Sequence, residues 1–234
     1  MAGFLFDIYL LYMTRSELKA LIRETIQEAH ILPDESKIAE VRAIVEKYLK
    51  DKKKFNIANV AHWFRKELSI FDEDFYDAIR VNQLLPNGIQ FEYTYGNDRG
   101  SYIPKTDTIT LSSKFLAGKY GGLDGMEETL GHELIHREQF RRGAKLPDQD
   151  KMKAKYKGNE TEAYLNQSIE VMAWGYSLVR DYIHDIPDAT VDDVYYYINN
   201  DDNFKTFLAK YDISNKKKVL RYMVDYAQKL LKKG

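Results

Sequence analysis

The chain predicts an α+β fold that is predominantly helical, with a small antiparallel sheet of about three strands packed on one long helix. Three observations carry that expectation. Apolar residues recur at helical spacing through most of the first third and the last quarter of the 234 residues. Between these regions, residues 89–112 alternate apolar and polar side chains with aromatic and β-branched enrichment, as half-buried strands do. Shortly after comes His132-Glu133-Leu134-Ile135-His136. Histidines four positions apart lie about 40° from one another around a helix, so both imidazoles leave one face a turn apart.

Met1 to Met13 is apolar, but it contains Asp7 and lacks a basic start and a small-residue cleavage site. It is also too short to span a bilayer, so a buried or partner-binding segment is expected rather than a leader or anchor. Thr14–His30 follows as an amphipathic helix, with Thr14 or Ser16 as cap and Leu18, Leu21, Ile22 and Ile26 at the helical period. Pro33 interrupts the chain, and Asp34 or Ser36 opens a second helix through Lys50. Its charged tail, Lys50 to Lys54, reads as a solvated helix end. Helices at Ile57–Leu68 and Asp72–Leu85 complete an all-helical region over residues 1–85.

The strands are expected at Ile89–Tyr95 and Thr108–Ser112, with Ser101–Ile103 as a middle strand of a meander. The turn-forming runs Gly96–Gly100 and Pro104–Asp107 separate them. Gly118, Gly121 and Gly122 make a loop, and Asp124 or Gly125 starts the motif helix, which Gly143 ends. A polar, lysine-rich loop leads to Asn159, and Thr161 to about Asp181 is helical again. Residues 86–184 thus form the expected core unit. Helices near Val191–Asn199, Asn203–Lys210 and Ser214–Lys233 build a C-terminal region over 185–234, the whole making one compact unit. Tyr195, Tyr196 and Tyr197 are assigned to core or interface.

Charge is heavy at 30% but balanced to a net −1, which argues against a nucleic-acid partner. No stretch reaches membrane length, so no membrane partner is expected either. The absence of cysteine fits a cytoplasmic protein and excludes a thiolate metal site. Any metal must be held by histidine and carboxylate.

The motif supplies two histidine ligands at the spacing one Zn²⁺ requires, with Glu133 placed to touch a metal-bound water. A third ligand is needed. A metzincin would carry Gly and His where this chain has Gln139 and Arg142. The candidates are therefore Asp148, Asp150, Glu160, Glu162 and Glu170. Glu170 is favoured, because it lies on an apolar helix whose buried side is marked by Ile169, Met172 and Ala173, and Ala173 is small enough for two helices to approach closely. Glu160 and Glu162 are first-turn acids that favour the helix dipole. Asp148 and Asp150 fall in the polar loop.

HExxH followed by Glu170 in Tyr164-Leu165-Asn166-Gln167-Ser168-Ile169-Glu170-Val171-Met172-Ala173 resembles the gluzincin branch of the zincin metallopeptidase superfamily. It is most similar to compact metallopeptidase-like proteins of phage and bacterial origin, over about Gln90–Arg180. The Asn-Glu-x-x-Ser-Asp phrase of thermolysin-like enzymes and the Gly-x-Met-Glu-Asn strand of gluzincin aminopeptidases are missing, so the resemblance does not extend to secreted peptidases or exopeptidases. It implies one Zn²⁺ per chain on His132, His136 and Glu170, with Glu133 as general base, and a protein or peptide substrate. It also implies a cytoplasmic setting, or a virion for a phage protein.

In that chemistry zinc lowers the pKa of its water towards about 7 and polarises the scissile carbonyl, while Glu133 takes the water proton and passes it to the leaving amine. The strand at Thr108–Ser112 would edge the cleft, and Tyr164, Tyr176, Arg180 and His184 are candidates for stabilising the oxyanion. Glu127 or Glu128 would accept the second N–H of a ligand imidazole. Leu130, Leu134 and Ile135 should be core, and Arg137, Arg141 and Arg142 exposed or on the cleft rim. The competing reading is a zincin-like binding or structural module, for example in a virion, without turnover.

Overall fold

The segment Thr108–Ser112 is buried at four of its five positions, a state open to a strand covered on both faces and paired on both edges. The computed structural model describes residues 31–52, 73–94 and 97–231, and in it this segment is the central strand. The sheet comprises β1 (Ile89–Glu92), β2 (Gly100–Ile103) and β3 (Thr108–Ser112) in the order β1-β3-β2. β2 pairs with β3 antiparallel, whereas β1 pairs with β3 parallel, Ile89 beside Ile109 and Glu92 beside Ser112. The sheet is therefore mixed, not the antiparallel meander expected, and Ser101–Ile103 lies at the edge rather than in the middle. Insertion of β3 between the other two buries Ile109 and Leu111 completely, which a meander with β3 at its edge would not do. Among the described residues, the outer strand beside the motif helix is β2, not Thr108–Ser112.

The helices are α1 (Glu35–Lys52), α2 (Glu73–Asn82), α3 (Gly122–Arg141), α4 (Gln149–Lys155), α5 (Glu160–Leu165), α6 (Ser168–Asp185), α7 (Val191–Asn200), α8 (Asp202–Leu208) and α9 (Ile213–Leu231). The expected Met1–Met13 segment and the helices at Thr14–His30 and Ile57–Leu68 lie outside the described residues. No helix among the described residues is long and apolar enough to cross a membrane.

The motif helix α3 runs between two layers. The sheet packs on one flank and α6 on the other, so Leu130, Leu134 and Ile135 are all core. Gly143, at φ 93, ends the helix as expected, with the Gly143 and Ala144 N–H groups donating to Phe140 and Gln139. Two glycines permit the close contacts. A Cβ at Gly100 would meet Thr129 of α3, and one at Gly131 would overlap the Tyr176 ring of α6. Ala173, fully buried, adds the small surface that the sequence pointed to.

Two expectations about α3 and its successor need correction. The single helix over Thr161–Asp181 is two helices, broken at Asn166 and Gln167. The Asn166 side chain donates to the Glu162 and Lys210 carbonyls and accepts from the Asp212 N–H and the Asn215 amide. These bonds tie the break to the start of α9, which no local pattern foretells. The lysine-rich loop also contains α4, capped by Asp148.

Arg141 and Arg142 are exposed, but Arg137 is not. Its guanidinium makes two hydrogen bonds to Asp107, at 2.7 and 2.6 Å, and only 11% of its side chain is accessible. Arg141 joins the same carboxylate at 3.0 Å. Asp107 sits at φ 51 in the β2–β3 turn, so this cluster clamps the turn to α3. The Arg137 hydrogen bonds hold the Asp107 carboxyl far below the ordinary carboxylate range. A depressed pKa stabilises the fold above the unfolded value near about 3.9, and the effect is lost as pH falls further. Asp107→Asn, which tolerates positive φ, should lower stability by about 1 kcal/mol at pH 7. The gap from wild type in denaturant melts should close as pH drops below about 4.

Candidate metal centre

Glu133, His132 and His136 sit in the buried middle of α3, each less than a tenth exposed. The break at Asn166–Gln167 starts α6 at Ser168, so Glu170 falls in its first turn. There the helix dipole favours its carboxylate, although first-turn placement was the reason for setting Glu160 and Glu162 aside. The crossing of α6 over α3 brings Glu170 onto both imidazoles: Oε2 lies 3.3 Å from His132 Nε2 and Oε1 lies 3.4 Å from His136 Nε2. One donor atom from each of the three residues falls within 4.8 Å of the others.

The second ring nitrogens are already engaged. His132 Nδ1 lies 3.1 Å from the Ser177 hydroxyl, and His136 Nδ1 lies 2.9 Å from Gln139 Oε1. Gln139 is fixed in turn by donating to the Ile169 carbonyl at 3.0 Å. Neither Glu127 nor Glu128 is the direct acceptor. Periodicity contained the correct signal, since Gln139 is three residues past His136 on α3 and Ser177 is two turns past Glu170 on α6. Trp174 sets its ring edge-on to His132, 5.4 Å between centroids.

The arrangement fits a tetrahedral metal ion. Ligands at about 2.0–2.1 Å from zinc stand about 3.3–3.4 Å from each other, the separation of whichever Glu170 oxygen ligates from the Nε2 it faces. A charge-assisted hydrogen bond would draw the same atoms to about 2.7–2.9 Å. Glu170 Oε2 is buried with no well-formed hydrogen bond among the described residues, a costly state for a carboxylate without a cation. The donor set, two imidazoles and one carboxylate, is that of a hydrolytic zinc site.

The electrostatics are those of a preassembled ligand set. Burial would raise the Glu170 carboxyl, but hydrogen bonding to His132 and His136 outweighs it and holds the group well down. Burial would lower His136, but its contact with Glu170 and the nearby Glu133 push it up to about 9. Glu133 is raised by burial, only partly countered by the two histidines.

Of the other residues singled out, Asp148 caps α4, Asp150 is exposed beside it, and Glu160 pairs with Lys153 at 3.2 Å. Glu162 lies in the first turn of α5, so none of these four joins the cluster. Tyr176 bonds Glu35, Arg180 pairs with Glu35 and Glu127, and His184 pairs with Asp124, all away from the ligands. Of the four oxyanion candidates only Tyr164 feels the charge of Glu170, which adds to burial in raising its phenol, and the residue is 42% exposed. Sequence reasoning missed Tyr211, whose buried hydroxyl has no hydrogen-bond partner among the described residues and feels the charge of Glu170. Compared with protein-family models, curated proteins and solved structures, the chain matches none.

A metal ion must displace the proton that His136 carries below about pH 9. Zinc affinity should therefore fall about tenfold for each pH unit below that value, with about one proton released per ion at pH 7. Calorimetry in buffers of different ionisation enthalpy measures both. Glu170→Ala should cut the affinity by about two orders of magnitude or more, one ligand of three being lost.

Proposed function

We propose that the chain is a zinc-dependent metallopeptidase of zincin type, hydrolysing peptide bonds with Glu133 as general base. The observation that carries this reading is the position of Glu133, a buried carboxyl beside a buried His-His-Glu set on the helix that packs against the edge strand β2. A purely structural site has no use for a buried carboxyl there. Zinc bound to His132, His136 and Glu170 would supply Lewis acidity and a water of lowered pKa. Glu133, whose carboxyl burial raises, would accept the proton of the attacking water and return it to the leaving amine.

Strand β2 offers the substrate its backbone. The Ser112 N–H donates to the Arg99 carbonyl, which fixes the pairing phase so that Gly100 and Tyr102 turn their backbone groups away from β3. The motif helix packs on β2, so an extended peptide laid along that strand by main-chain hydrogen bonds would pass beside the helix that carries Glu133. Tyr164, a partly exposed residue whose phenol feels the charge of Glu170, is the candidate to donate to an oxyanion.

Glu133→Gln separates binding from chemistry. The amide keeps the size of the side chain but cannot take the proton, so zinc should stay while hydrolysis of an unstructured protein falls by about 10²-fold or more. Equal activity in the variant would place the base elsewhere. Wild-type protein that holds zinc and cleaves nothing would replace the enzyme with a zincin-like binding module.

A further inference from the structure

We propose that Gln139 is a positioning residue for the metal centre, its amide fixing which nitrogen of His136 faces the ion and tying that ring to the turn that carries Glu170. The proposal rests on the metal-binding reading of His132, His136 and Glu170. Gln139 follows His136 by three residues on α3, so the two side chains share a face of the helix. Gln139 is 8% exposed, and both ends of its amide are engaged. Its Nε2 group donates to the Ile169 carbonyl at 3.0 Å, and its Oε1 lies 2.9 Å from His136 Nδ1.

These two contacts leave one arrangement of protons. A backbone carbonyl only accepts, so the NH₂ end of the amide must face Ile169. The reversed amide would set two oxygens against each other in a buried place, at the cost of both hydrogen bonds. The end left for His136 is an oxygen, which also only accepts, so Nδ1 must carry a proton. A neutral His136 therefore holds its free lone pair on Nε2, the nitrogen that faces Glu170 Oε1 at 3.4 Å. Ile169 directly precedes Glu170 in the first turn of α6. One amide thus orients a ligand ring on α3 and holds the turn of α6 that bears another ligand. His132 has no such arrangement. The Ser177 hydroxyl, 3.1 Å from its Nδ1, can donate or accept and so selects neither tautomer.

Gln139→Met keeps the length of the side chain and loses both hydrogen bonds, whereas Gln139→Glu keeps an oxygen for Nδ1–H in either protonation state. Both are compared with wild type by zinc competition against a chromophoric chelator, by the visible spectrum of the Co²⁺-loaded protein and by heteronuclear NMR of the imidazole protons. Far-ultraviolet circular dichroism of each metal-free form monitors folding. Metal-free wild type should show a slowly exchanging Nδ1–H on His136, and that proton should persist when zinc is added. Gln139→Met should move this resonance and speed its exchange, weaken zinc binding about 10–100-fold and shift the Co²⁺ bands. Gln139→Glu should bind zinc more tightly than Gln139→Met does. Zinc binding in Gln139→Met as tight as in wild type, or an Nδ1–H resonance that the substitution leaves unchanged, would overturn the proposal. Gln139→Glu binding no better than Gln139→Met would reduce Gln139 to a tie between α3 and α6 and also overturn it. Ligation of His136 through Nδ1 in zinc-loaded wild type would overturn it without any variant, which keeps the test open should both variants unfold. Wild-type protein that takes up no zinc would instead refute the metal-binding reading, while an Nδ1–H altered by Gln139→Met in the metal-free form would still uphold the hold of the amide on His136.

Discussion

The contact on which the rest of the structure turns is the carboxylate of Glu170 held between two buried imidazoles. An anion taken out of water is destabilising unless opposite charge and hydrogen bonds meet it at close range. Every nearby feature supports that requirement. The helix break at Asn166 places Glu170 in the first turn of α6, where free N–H groups and the helix dipole favour negative charge. Gly131 and Ala173 let α6 settle on α3 closely enough for the carboxylate to reach both rings. Ser177 and Gln139 turn the imidazoles so that both present Nε2. Even so, Oε2 is left without a well-formed hydrogen bond, and both nitrogen–oxygen gaps exceed those of an ordinary ion pair. The three side chains stand together at a spacing that a coordinated metal ion would also allow.

Two ion-pair networks hold α3 at its ends and so fix the ligands indirectly. At its start, Arg42 of α1 meets Asp124 at 2.7 Å and Glu127 at 2.9 Å, while Arg180 of α6 bridges Glu127 and Glu35. At its other end, Arg137 and Arg141 grip Asp107 in the β2–β3 turn. Acids at the first turns and arginines at the last also suit the helix dipole. Single exposed pairs contribute little. Their value here is geometric, since one network sets α3 against α1 and α6, and the other sets it against the strand edge that would carry substrate.

Much of the site was legible in the sequence because a helix converts spacing into direction. His132 and His136 had to share a face, Leu134 and Ile135 had to leave it, and Glu170 stood on the one apolar helix within reach. The sheet was harder to read. Alternation in residues 89–112 showed strands but not their partners, and the insertion of β3 between β1 and β2 is decided by burial of Ile109 and Leu111, a property of the assembled sheet. The break at Asn166 was hidden for a similar reason. Four of its side-chain hydrogen bonds reach a carbonyl one turn back and three groups between Lys210 and Asn215, and those distant partners leave no local trace. Glu170 does stand beside both histidines, yet it is itself the kind of first-turn acid that set Glu160 and Glu162 aside.

The Asn166 bonds also change what the C-terminal region is. Treated as a flank, residues 185–234 had no assigned part in the site. Yet the segment that Asn166 grips carries Tyr211, whose buried hydroxyl stands in the field of Glu170, and Phe207, which packs against both Tyr211 and Trp174. Trp174 in turn sets its edge on His132. A continuous path of rings thus runs from α8 to a metal ligand, while Tyr222 and Met223 of α9 lie buried along α6 beneath it. Aromatic rings packed in this way keep water away from the carboxylate, and a drier site strengthens each charge interaction within it. That dryness raises Glu133 directly and opposes the shifts that Glu170 and His136 impose on each other, so the C-terminal helices act on the chemistry of the centre through the dielectric they impose.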